Sequence, residues 1–131
     1  MTADQLQLFT EREHRSLGAP PVPNENGVYL EPDETLELQG PHRFLPMARI
    51  ELVNLPVFGW IYATSYTLSD QGAGYRPALK WAKRGDSRGD ALAKAKCELL
   101  DSMLAYLDRH SDSASAKRQA MTVANWLKGL A

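Results

Sequence analysis

The sequence predicts an α+β fold: a small three- or four-stranded antiparallel sheet backed by one long helix, with a second helix at the C-terminus. Two patterns predict it. Phe58, Trp60, Tyr62, Thr64, Tyr66 and Leu68 recur at every second position, the period of a strand with one buried face. Leu92, Ala95, Leu99, Leu100, Met103, Leu104 and Leu107 instead recur at helical spacing and form a stripe broad enough to cover that face. A chain of 131 residues supports one core rather than two, and 44% apolar with 24% charged residues places it among folded chains.

In chain order, residues 1–27 are expected to be an N-terminal peptide and flexible linker, and residues 28–131 a single α+β domain. Residues 10–27, TEREHRSLGAPPVPNENG, lack hydrophobic period and carry three Pro, which rules out a continuous helix or central strand. Pro32-Asp33 offers turn chemistry between Val28-Tyr29-Leu30 and Leu36-Glu37-Leu38, suggesting a short hairpin. ARIELVNLP, with Ile50 and Leu52 alternating, supplies a strand ahead of the Phe58–Leu68 strand.

SDQGAG then makes a loop, and Tyr75, Pro77, Leu79 and Trp81 alternate in an expected return strand. Pairing Leu68 with Tyr75 sets Tyr62 across from Trp81 and Thr64 across from Leu79, so Trp60, Tyr62, Tyr66, Leu79, Trp81, Leu99 and Met103 are expected to share one core. Pro77 cannot donate to a ladder, which makes this an edge. Ser87, with Asp90 three residues on, opens the long helix. After SDSAS a second helix over about residues 115 to 128 displays Ala116, Ala120, Val123 and Leu127 on one side.

Composition excludes several classes of function. Cys97 is the only cysteine, so neither an intramolecular disulfide nor a multi-cysteine metal site can form. His14, His42 and His110 stand apart from one another and from metal-ligand spacing, so no metal is expected. Gly72-Ala73-Gly74 is too short for a phosphate-cradling loop, and Arg88-Gly89-Asp90 sits at a helix start, where it reads as capping. No pair of groups forms a catalytic signature, and the expectation is a non-enzyme without cofactor. No apolar run is long enough to span a bilayer and no leader pattern opens the chain, so a cytoplasmic location is expected.

The net charge of −1 hides a division: residues 1–72 hold four Arg and no Lys against ten carboxylates, whereas residues 73–131 hold eleven Lys or Arg against six. Halves of opposite sign either fold against each other or turn the basic half toward a polyanion.

The pentapeptide Gln5-Leu6-Gln7-Leu8-Phe9 crowds three large apolar side chains into the polar terminus, where ordering costs entropy unless something buries them. It resembles the bacterial sliding-clamp-binding peptide, Gln-Leu, a variable residue, then Leu-Phe. That resemblance implies Gln5 as the polar key at the pocket rim, Leu6 as secondary anchor, and Leu8 and Phe9 as the plugs. Gln7 departs from the small or acidic residue common at the middle position. The competing expectation is a helical turn whose Leu6 and Phe9 dock on the chain's own core.

The sheet face away from the helix is expected to present Ser65, Thr67, Arg76 and Lys80, with Lys83 and Arg84 at the strand end, residue types that suit phosphates and guanine edges. In its strand-strand-strand-helix order the domain is similar to phage integrase arm-site-binding domains, which implies DNA as a partner. Should the aromatic face lie exposed instead, it becomes a stacking platform for single-stranded nucleic acid. The function expected is a small accessory or regulatory protein of DNA replication, of phage or mobile-element origin. It would dock on the sliding clamp and contact DNA. The alternative is a non-enzymatic inhibitor of a partner protein, anti-defence or antitoxin-like, acting through an acidic surface.

Overall fold

The computed structural model describes residues 21–109 and 113–130; Gln5 to Phe9, His14 and His110 lie outside them. Among the described residues the architecture is α+β, as the two periodicities require. β1 (Glu34–Leu38), β2 (Ala48–Leu55) and β3 (Gly59–Thr67) form an antiparallel meander. β4 (Gly72–Gly74) and β5 (Lys83–Gly85) both pair with the far side of β3, one at each end of it. The outer edge is therefore one line of pairing interrupted by residues 75–82. α1 (Arg88–Asp108) and α2 (Ala114–Gly129) follow. No described helix is long and apolar enough to cross a membrane.

The register assigns the faces. Leu52 pairs with Tyr62 and Ile50 with Thr64, so the even-numbered positions of β2 and β3 lie on one face. There Ile50, Leu52 and Tyr62 pack with Ala95, Leu99, Met103 and Tyr106 of α1 and with Ala116, Ala120, Val123 and Leu127 of α2. The four α2 residues are those its spacing marks. On α1 the stripe is narrower than expected, since Leu104 is exposed and Tyr106 is buried in the core.

α1 begins at a reciprocal cap: Ser87 Oγ accepts from the Asp90 amide at 3.0 Å, and Asp90 Oδ2 accepts from the Asp86 amide at 3.0 Å. The first bond satisfies one of the amides that a helix start leaves unpaired, and the second holds the residue just ahead of the cap. Gly85 brings β5 against this helix start. A Cβ there would lie 2.3 Å from the Ala91 nitrogen, a contact only glycine avoids.

Two expectations are corrected. Val28–Leu30 does not form a hairpin with β1, which pairs with β2 instead, Leu36 opposite Ile50. Val28 bridges to Ala78, and the Tyr29 amide donates to the Pro77 carbonyl at 2.8 Å. Tyr29 thereby joins Val53, Leu55 and Ile61 in a second apolar cluster on the face away from the helices, which is consequently covered over part of its length.

The return strand Tyr75–Trp81 is also absent. Ser65 pairs with Gly74, Tyr62 faces Lys83 rather than Trp81, and Leu79–Trp81 forms a 3-10 turn. Leu79 and Trp81 are 50% and 43% exposed and stand outside the core; Trp60 and Tyr66 pack at its margin, while Tyr62, Leu99 and Met103 are buried as expected. Pro77 has no amide to give to β3, and the chain leaves the ladder before it, rejoining only at Lys83. Alternation from Tyr75 to Trp81 reflects side chains with separate destinations, Tyr75 on Glu98, Pro77 buried, Leu79 exposed and Trp81 on the Arg76 carbonyl, not a pleated strand.

Candidate interaction surface at the interrupted sheet edge

Residues 75–82 bow out from the edge and are held by two carboxylates, Glu98 on α1 and Glu51 on β2. Glu98 is the better satisfied. Its Oε2 accepts from Thr64 Oγ1 at 2.7 Å and from the Tyr75 hydroxyl at 2.5 Å, and its Oε1 pairs with Lys83 Nζ. The ammonium also lies 4.7 Å from the centroid of the Tyr75 ring, within cation–π range. Burial pushes the Glu98 carboxyl up, but hydrogen bonds from Lys83, Tyr75 and Thr64 outweigh it and hold the group below its ordinary value. The same burial, with the bond to Glu98, drives the Tyr75 phenol far above its own, so it stays a donor at any physiological pH.

Glu51 is 3% exposed on the opposite face. Arg76 Nε stands 3.3 Å and Arg49 Nε 3.5 Å from its Oε1, yet neither nitrogen makes a well-aligned hydrogen bond, so the contact is chiefly Coulombic. Burial raises the Glu51 carboxyl above its ordinary value despite both guanidiniums. Arg76 also donates to the Leu30 carbonyl at 3.1 Å, fastening the excursion to the segment that carries Tyr29.

The six residues expected to form a basic face are divided. Ser65 and Thr67 share the face away from the helices with Arg49, at the β4 end, where a shallow cleft of about 390 Å³ also takes in Leu45, Pro46 and the β4 glycines. Arg76 is neutralised by Glu51 and Lys83 by Glu98. Arg84 donates from Nε to the Phe58 carbonyl at 2.6 Å, lies 5.6 Å from the Phe58 ring centroid, and pairs with Asp86 at 3.0 Å. Lys80 is exposed on the 3-10 turn without an ion pair among the described residues. Instead of one basic sheet face, the fold leaves two outward cations, Lys80 and Arg84, beside the half-exposed rings of Trp81 and Phe58. The Trp81 indole N–H donates to the Arg76 carbonyl at 2.8 Å, which fixes the ring's attachment.

Sequence reasoning missed Glu51, Glu98 and Tyr75. For Glu51 a signal exists: Arg49 and Glu51 fall on one face of a strand that is otherwise apolar apart from Asn54, a pattern that asks for a partner. Glu98 has no such local mark, because its partners come from 15 to 34 residues away. Among the described residues no group of three or more His, Cys, Asp or Glu converges as metal ligands would. Set against known protein families, curated proteins and solved structures, the chain matches none.

Proposed function

We propose that this protein is a non-enzymatic accessory or regulatory factor of DNA replication, of phage or mobile-element type, that docks on the bacterial sliding clamp through Gln5, Leu6, Leu8 and Phe9. The observation that carries the reading is the pentapeptide itself, placed ahead of a Pro-rich linker. Two adjacent large apolar side chains, each worth about 1.5 to 3 kcal/mol when buried, are adequate anchors for a peptide held by a partner. Two features of the described body support it. Residues 24–28 close a local turn, in which the Asn24 side chain accepts from the Asn26 and Val28 amides at 2.9 and 3.0 Å, and Val28 then bridges to Ala78 of the domain. The partly buried Glu98 and the buried Glu51 are occupied by the protein's own donors and cations, an arrangement suited to architecture more than to turnover.

The test is binding of the full chain to purified bacterial clamp. Leu8→Ala with Phe9→Ala is expected to abolish binding and leave the melting temperature unchanged. A fall in stability of several kcal/mol would assign both side chains to the core and end the clamp reading. Unchanged stability with no clamp binding by the unaltered chain would move the inhibitor reading ahead.

A further inference from the structure

The excursion and the start of β5 concentrate basic and aromatic side chains apart from the Gln5–Phe9 peptide. From Arg76 to Arg84 the chain carries four cations and no carboxylate, with Trp81 among them. Trp81 and Phe58 are each 43% exposed, so a large part of each ring is open to a ligand. Their neighbours are cationic. Lys80 immediately precedes Trp81, and the Arg84 guanidinium lies against the Phe58 ring. The one carboxylate paired with Arg84, Asp86, has a side chain 85% exposed, so that pair is weak in water and yields readily to a phosphate.

We infer that Trp81 and Phe58, flanked by Lys80 and Arg84, form a binding site for single-stranded nucleic acid. Each ring offers a stacking face to any base, and the cation beside it meets a phosphate. A duplex fits less well, because its bases are already stacked on one another and cannot cover an indole. Ser65 and Thr67, at the far end of β3, take no part. The indole N–H, already bonded to the Arg76 carbonyl, is not available to read a base edge, so Trp81 contributes stacking alone.

The experiment is fluorescence anisotropy of a labelled oligothymidylate titrated with the full chain at low salt, with a duplex of equal length as comparison. Single strand is expected to bind at least about tenfold more tightly than duplex, and Trp81→Ala to weaken it by about tenfold or more. Trp81→Phe keeps a ring and is expected to retain most of the affinity. Lys80→Glu, at an exposed side chain, leaves the fold intact and should weaken binding in parallel. With two phosphates neutralised, log affinity falls against log salt with a slope of about −1 to −2. Leu8→Ala with Phe9→Ala is expected to bind the oligonucleotide normally, which separates this site from the clamp peptide. Absence of oligothymidylate binding at sub-millimolar protein, equal or tighter binding of duplex, or indifference to both Trp81→Ala and Lys80→Glu would overturn the proposal.

Discussion

The Tyr75 hydroxyl donates to Glu98 Oε2 at 2.5 Å, joining the residue that follows β4 to the middle of α1. With Thr64 and Lys83 on the same carboxylate, β3, the excursion and β5 are all fastened to one helix. Removing the carboxylate should therefore cost more than removing any one donor. Glu98→Ala, which strands a buried threonine hydroxyl and a phenol, is expected to destabilise by about 3 kcal/mol, and Tyr75→Phe by about 1 kcal/mol, in urea unfolding. Equal losses for the two variants would show that Glu98 does not gather these groups.

The two carboxylates should titrate in opposite senses. Glu98 sits below its ordinary value when folded, so its contribution is present above the unfolded pKa and is lost as pH falls through the folded one. Glu51 is raised by burial; its contribution is fully present below the unfolded pKa and is lost as pH rises through the folded one. Compared with Glu98→Gln, the unaltered chain should lose its advantage on acidification. Compared with Glu51→Gln it should gain. Unfolding free energies across the carboxylate range, measured for all three proteins, check both signs.

Trp81→Ala bears on the corrected fold directly. A ring 43% exposed, holding one hydrogen bond, should cost about 1 kcal/mol on truncation, against the 3 to 5 kcal/mol of a buried tryptophan. A loss in the higher range would restore Trp81 to the core.

Val57 turns the corner between β2 and β3 at φ 90°, in a turn closed by the Phe58 amide on the Leu55 carbonyl at 3.2 Å. A fully exposed β-branched residue gains no packing there and bears the strain of left-handed backbone. Val57→Gly is expected to stabilise by about 0.5 to 1 kcal/mol, after the entropy glycine loses on folding. A thermal melt that moves downward would contradict it.

Gly85→Ala is expected to destabilise by about 2 kcal/mol or more, because the added methyl meets backbone of α1 rather than a side chain that can turn aside. Chemical denaturation measures it, and an unchanged midpoint would mean that β5 does not approach the helix so closely.

By itself the sequence determined the α+β class, β2 and β3, both helices, and the residues α2 buries. Those features are periodic, and a repeat of two or 3.6 residues written over eight or more positions is a local property that needs no partner to be read. It also determined the pentapeptide at Gln5–Phe9, whose character is chemical composition alone. Tertiary structure decided the rest. Tyr75, Leu79 and Trp81 carry the alternation of a strand, but whether such a segment pairs depends on amides that Pro77 lacks and on carboxylates that lie elsewhere in the chain. Glu98, 23 residues on, takes Tyr75, and Lys83 from the same helix-facing edge joins it. Glu51, on β2, takes Arg76. An ion pair or a hydrogen bond between such distant residues leaves no period in either segment, so the interruption of the sheet edge, and the outward turn of Trp81 that follows from it, existed only once the chain had folded.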